Sequence, residues 1–556
     1  MDLAKRLRGA LRVVGRGVFP GVRLLPRILV ARQLRAARGP RRVVNQEGSE
    51  TLVFSLRGGW VAHSVLEHTL GLALARRGER VRMVSCQRAP LECGFYNHRY
   101  GARRPCTVCT IASRALADAV GLPSSALVDD VGRGVRADAE RLTRGLMLPA
   151  CREFAWEGLA LGRLVEPSVL WFFNRGSLSD AHLPYYRSAL RSAVLFAAAV
   201  RSLLERQRAT TRLFLVNGIF WPERVAWEVA RSLGMSDVVM YERGFMTGTW
   251  VFSRDQAPAY YDLCAQWPSI REHRLTAPQA RELHDYLRSR ETFSRDAVSY
   301  AGRWAADGAE QAALMQRVRS RPTVVAFANI TWDSAVVGRD LGFRGMLDWV
   351  RSLVAYAANH PQHFVVLRGH PAEIALEGSE TTETVGEFLL EAVRQTPENF
   401  VYVGPESAVH SYRLMDHASV GALYGSTVGL EMVLRGRPVV VSGQAHYGDL
   451  GFTDLAGDEA ALWRALERLC DEPLPGLEVA RRRELAERYA WVFFFRQMVP
   501  LPWLREATIG HPAVDPLSLE QELAENSSPT NQVLDFIAHG PSGQFLVRRQ
   551  GVGETP

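Results

Sequence analysis

The sequence predicts an α/β protein in which two open, mostly parallel sheets follow one another along the chain and face a cleft. Short apolar runs alternate with stretches of helical period over most of its length. Glycine-punctuated turns join strand to helix at Arg57-Gly58-Gly59-Trp60 and at Gly425-Ser426-Thr427. The 556 residues also exceed what one hydrophobic core can organise, so more than one domain is required.

The first series opens with a strand at 51–56, a helix at 61–77 closed by Gly78, and a strand at 80–85, a βαβ unit. It resumes with a helix from about Tyr185, a strand at 213–217, a helix at 222–233 and a strand at 238–242. Residues 86–185 read as an insertion with a cysteine cluster, and 51–270 as the first Rossmann-like domain, expected to take the acceptor. Residues 271–320 are charged, poor in glycine and helical in period, which suits a connector. Strands at 323–329, 363–368, 400–403, 418–424 and 437–442, with helices between them, make 321–475 a second Rossmann-like, nucleotide-binding domain. Residues 476–556 read as C-terminal helices and a polar tail.

The hydrophobic content of 47% with 23% charged residues is that of a soluble globular protein. The net charge of +8 is concentrated at the start, where residues 1–50 carry eleven arginines and Lys5 against Asp2, Glu47 and Glu50. Arginines break up the apolar residues of this leader too often for a secretory signal, and no run of roughly 18 apolar residues predicts a membrane span. A basic amphipathic segment on an anionic membrane surface and a disordered tail are both open, whereas nucleic acid is not expected because stacking aromatics are scarce. Lys5 is the only lysine, which excludes a lysine Schiff base or a GK[ST] phosphate loop from the body of the chain. The expected location is cytoplasmic, with peripheral association at the inner membrane face as an extension.

Residues of two segments, 368–373 and 425–431, carry the chemistry of the second domain. Gly425, Ser426 and Thr427 offer backbone N–H groups, hydroxyls and a helix start to a phosphate. Glu431, one turn on, is placed to accept from ribose hydroxyls or else to be a solvated helical carboxylate. Arg368 and His370 end a strand on the same sheet edge, where they can hydrogen-bond a phosphate. Glu373 either fixes the His370 tautomer or is solvated. In the first domain, His63 and Glu242 are the candidate bases for an acceptor hydroxyl, against a helix-cap role for His63 and a Glu242–Arg243 pair.

Cys86, Cys93, Cys106 and Cys109 include one Cys-x-x-Cys spacing. A structural zinc held by four thiolates, with His98 as a spare ligand, and a set of free thiols are both open. No cofactor is expected for catalysis.

The motif Arg368-Gly-His-Pro-Ala-Glu373 is followed about fifty residues later by Tyr424-Gly-Ser-Thr-Val-Gly-Leu-Glu431, then Gly436-Arg-Pro-Val-Val-Val441 and Tyr447-Gly-Asp-Leu-Gly-Phe-Thr453. This combination resembles the capsule polysaccharide biosynthesis family of GT-B glycosyltransferases, and its His-Pro and Ser-Thr motifs are similar to those of GT-B sialyl- and Kdo-transferases. The resemblance covers mainly 320–455, and more loosely Asn217-Gly218 and Tyr241–Gly244. It implies a metal-independent transfer from a CMP-, UDP- or GDP-linked sugar to a glycan or lipid-linked acceptor. His370, Ser426 and Thr427 would hold the donor phosphate and Glu431 the ribose. The acidic motif that supplies the base in sialyltransferases has no clear counterpart here. A non-hydrolysing nucleotide-sugar 2-epimerase and a non-enzymatic scaffold are the alternatives.

Overall fold

The computed structural model describes residues 29–39, 50–90, 92–93, 106–207, 210–297, 308–333, 336–375, 380–506 and 512–549. The first sheet is formed by β1 (Glu50–Phe54), β2 (Arg80–Ser85), β3 (Ser124–Ala126), β4 (Thr210–Val216), β5 (Val238–Arg243) and β6 (Thr249–Arg254). The second is formed by β7 (Thr323–Phe327), β8 (Phe364–Arg368), β9 (Phe400–Val403), β10 (Val420–Leu423), β11 (Val439–Val441) and β12 (Asp454–Leu455). β13 (Val499–Pro500) joins the edge of the first sheet, and β14 (Leu504–Glu506) pairs with β15 (Pro512–Val514).

The second sheet runs β12-β11-β10-β7-β8-β9, every pair parallel, which is the doubly wound order 6-5-4-1-2-3. The first sheet repeats this order as β6-β5-β4-β1-β2-β3 with β6 antiparallel. The α/β class and the two Rossmann-like domains are therefore present as expected. Both sheets are covered on both faces, so their strands are apolar on alternate residues to either side. In β4, Leu213 and Leu215 pack with the helices Leu183–Arg206 and Trp221–Ser232, while Phe214 and Val216 pack towards the helix Val61–Arg76. In β7, Val324 and Ala326 face one core and Val325 and Phe327 the other.

Two segments end up in places the sequence does not suggest. Residues 29–36 form a helix whose Val30, Ala31 and Leu34 are buried against the first domain, with Gln33 accepting from the Val514 N–H at 3.0 Å. The apolar side of this part of the leader is thus covered by protein and unavailable to lipid. The membrane reading of the rest of the leader falls on 1–28 and 40–49, outside the described residues. The C-terminal stretch after Gln497 returns to the first sheet, and the helix Pro529–His539 buries Val533, Leu534 and Ile537 there. Among the described residues no helix is long and apolar enough to cross a membrane.

Candidate functional site

In a doubly wound sheet, ligands bind beyond the carboxyl ends of the strands where the strand order reverses. In the second domain that point lies between β7 and β10, and the loops leaving them are Ala328–Asp333 and Tyr424–Thr427. Gly425, Ser426 and Thr427 are half-buried there, and the Tyr447 hydroxyl fixes the loop by donating to the Ser426 carbonyl. Asn329 is 6% exposed, and its Oδ1 has no hydrogen-bond partner. A buried amide oxygen in that condition is costly unless a ligand donor meets it. The helix that follows, Val428–Leu434, is short, so hydroxyls and loop amides carry more of any anion contact than a helix dipole does.

His370 leaves β8, one strand beyond β7, so it stands on the same edge about 10 Å from the β10 loop, two strand spacings away. Its Nδ1 accepts from the Ala372 N–H at 3.1 Å. Burial and the nearby Arg368 push its pKa down to about 4, so at neutral pH the ring is neutral and carries its proton on Nε2. It can therefore donate one hydrogen bond to a phosphate without adding charge.

Three expected contacts are corrected. Arg368 is buried and donates to the carbonyls of Val403, Gly404 and Ser407, so it braces the loop after β9 and is not presented to a ligand. Glu431 is 3% exposed and lies on the inner side of its helix. There it accepts from Arg290 Nε and Nη2 at 3.1 and 2.9 Å and from the Tyr412 hydroxyl at 2.7 Å, so it is engaged inside the chain and not presented to a ribose. Glu373 does not touch the His370 ring; its Oε1 accepts from the Val385 N–H at 3.1 Å. Glu431 does stand one turn after Thr427, but on the face that packs against the connector residue Arg290.

In the first domain the reversal lies between β1 and β4, and the loops there carry Arg57 and Asn217. Arg57 donates to both carboxylate oxygens of Glu223, at 2.9 and 2.7 Å, in a pair with no exposed side-chain surface. A Cβ at Gly58 would lie 2.5 Å from the Cys109 carbonyl oxygen, so only glycine lets this loop meet the helix Cys106–Val120. Asn217, in the left-handed region at φ 61°, accepts from the Ile219 N–H and donates through Nδ2 to Glu242 Oε2 at 2.6 Å. The Arg243 N–H donates to the other oxygen at 2.8 Å. Glu242 is held from two sides as an acceptor, and the Arg243 side chain pairs with Glu506 instead. Asn217 is the site residue that sequence reasoning missed as a partner of Glu242; an Asn-Gly after a strand was the available signal.

His63 is 6% exposed, boxed by the rings of Trp60, Tyr241 and Trp250, and held well below its ordinary pKa by burial and then by Arg243 and Arg57. Its Nδ1 is buried with no hydrogen-bond partner. Burial and the carboxylates of Glu242 and Asp333 push the Tyr261 phenol up, which places Tyr261 near an acidic group from each domain. The two domains are also clasped where the Thr382 N–H donates to the Asn174 carbonyl at 2.8 Å and Glu383 accepts from the Gly176 N–H at 2.9 Å.

No disulfide joins the seven cysteines. Among the described residues no three His, Cys, Asp or Glu side chains are grouped to hold a metal, and His98 lies outside them. Burial, with Cys109 and Cys106 nearby, pushes the Cys86 thiol up to about 12.

One buried acid gives a pH signature. Glu67, 1% exposed, accepts from the Tyr241 hydroxyl at 2.8 Å, and burial raises its pKa to about 8 from 4.5. Its contribution to stability is complete below pH 4.5 and is lost as pH rises to 8. The buried histidines, lowered from 6.5, act with the opposite sign as the unfolded chain loses its protons around pH 6.5, so the Glu67 effect is read as a difference between two proteins. Relative to Glu67→Gln, the wild type is expected to lose stability between pH 6.5 and 8, by at most about 1.4 kcal/mol per pH unit, as measured by thermal melts of both proteins. Glu373, raised by burial to about 7, is common to both and cancels in the comparison.

The family described as "Capsule polysaccharide biosynthesis protein" matches residues 241–482, which include the whole second sheet and its reversal point. This segment belongs to the capsule polysaccharide biosynthesis family. The capsule-family segment thus contains His370, the Ser426 loop and Glu242, and omits Asn217 and Arg57. No curated protein matches the chain. Among solved structures, the chain is similar to the Thermosulfurimonas dismutans KpsC beta Kdo 2,4 transferase, at 15% identity and TM-score 0.34, over 57% of this chain and 88% of that one. It is also similar to the UDP-GlcNAc 2-epimerase of Neisseria meningitidis, at 10% identity and TM-score 0.25, over 80% and 97%. The spinosyn rhamnosyltransferase SpnG gives 15% identity and TM-score 0.25 over 80% and 96%. With every TM-score below 0.5, these likenesses do not bear on activity.

Proposed function

We propose that the chain is a GT-B glycosyltransferase that moves a sugar from a nucleotide-sugar donor to a surface or capsular polysaccharide acceptor, without a divalent metal. The observation that carries this reading is the reversal point between β7 and β10, where the Ser426 loop and the unpaired Asn329 Oδ1 sit within the capsule-family segment. In this reading Ser426, Thr427, loop amides and the neutral His370 Nε2–H take the donor phosphates. Glu242, oriented by Asn217 and the Arg243 N–H, takes the proton of the acceptor hydroxyl. The acceptor oxygen then bonds the anomeric carbon as the carbon–phosphate-oxygen bond breaks, and the electron pair leaves on the nucleotide.

The test is to incubate the protein with CMP-, UDP- and GDP-sugars, with and without capsular oligosaccharide, and to measure released nucleotide. Release that depends on the acceptor is the expected result. Conversion of a donor to its epimer with no acceptor present would replace this reading with an epimerase, and failure to turn over any donor would favour a scaffold.

A further inference from the structure

A cavity of about 410 Å³, lined by no residue of the β7–β10 loops, opens beside the turn between β5 and β6. Met246, Phe495, Met498 and Pro500 give it apolar walls. Arg295 and Arg548 also line it, and no carboxylate is among its described lining residues. Arg548 donates through Nη2 to the Phe495 carbonyl at 2.7 Å, while its Nε is buried with no hydrogen-bond partner. Behind it lies a second guanidinium: Arg496, 4% exposed, donates to the Arg548 carbonyl. Burial and then this neighbour lower the Arg548 pKa to about 10, with Glu522 acting the other way. Arg295 lies over the Tyr286 ring at 5.2 Å, and the adjacent Asp296, which feels the Arg295 charge, is hydrogen-bonded by Arg290 at 3.1 Å and by the Tyr286 hydroxyl at 2.8 Å. Thr247 and Thr249 spend their hydroxyl protons on the carbonyls of Asp296 and Met246, which keeps the positive charge of the wall with the arginines.

The volume is in the range of small-molecule sites and exceeds what a bare inorganic anion fills. Guanidinium forks suit phosphate and carboxylate, and the methionine and phenylalanine surface suits an apolar body. We propose that this cavity, lined by Arg295 and Arg548, is a second binding site, taking a small organic anion with a phosphate or carboxylate head on an apolar body. It shares no residue with the reversal-point site and does not depend on the proposed transfer.

Phenyl phosphate, inorganic phosphate and benzyl alcohol serve as probes in calorimetry with the full chain. Phenyl phosphate is expected to bind at least tenfold more tightly than phosphate, and benzyl alcohol not to bind measurably. Arg295→Gln and Arg548→Gln should each weaken phenyl phosphate at least tenfold. Thr247→Trp, at an exposed position, should block the cavity while leaving the fold intact. The affinity should be unchanged in a His370→Ala, Ser426→Ala background, which separates this cavity from the nucleotide site. Undiminished binding in Arg295→Gln and Thr247→Trp, or loss of binding in the His370→Ala, Ser426→Ala background, overturns the proposal.

Discussion

Replacing Arg290 with alanine is expected to destabilise the folded chain by about 3–5 kcal/mol, the usual cost of removing one member of a buried ion pair. Arg290 is 8% exposed and is the cation for both Glu431 and Asp296, at 2.9 and 3.1 Å. Without it, two buried carboxylates keep only tyrosine hydroxyls, from Tyr412 and Tyr286. Chemical unfolding followed by circular dichroism measures the loss. An Arg290→Met, Glu431→Leu pair should recover only the part due to Glu431, because the Asp296 carboxylate still loses its cation. If Glu431 instead bound a ribose, Glu431→Gln would weaken nucleotide affinity while leaving stability nearly unchanged. The geometry predicts the reverse.

The second large effect is on turnover. Glu242→Gln is expected to lower the rate of sugar transfer by about 10²–10⁴, the range a positioned general base supplies, with nucleotide affinity unchanged. Glutamine keeps the side chain's size but cannot take a proton. Asn217→Ala should lower the rate less, because the Arg243 N–H still holds one carboxylate oxygen at 2.8 Å. A Glu242→Gln enzyme with full turnover would remove Glu242 as the base.

Much of the architecture is legible in the sequence because a strand buried on both faces writes itself as a short continuous apolar run. Val324 to Phe327 and Phe364 to Leu367 are apolar on both faces, and strands of that kind belong inside a parallel sheet. The order of strands, and with it the reversal point, is a long-range property that local pattern does not carry. The site follows the same division. Position along the chain placed His370 and Ser426 at one sheet edge, because each follows a strand of the same parallel sheet. Side-chain partners were not legible: Arg368 turns towards the carbonyls of the β9 loop, and Glu431 meets an arginine 141 residues away. His63 resembled an exposed base because nothing local announces that Tyr241 and Trp250 close over it. The fold of residues 29–36 onto the C-terminal return joins opposite ends of the sequence, which no local reading reaches.

Calorimetric titration of the wild-type chain with CMP, UDP and GDP, repeated on His370→Ala and Ser426→Ala, tests the nucleotide site most directly. The account predicts that one of the three nucleotides binds the wild type and that each substitution weakens it at least tenfold, with melting temperatures unchanged. No binding of any nucleotide, or equal affinity in both variants, would contradict it.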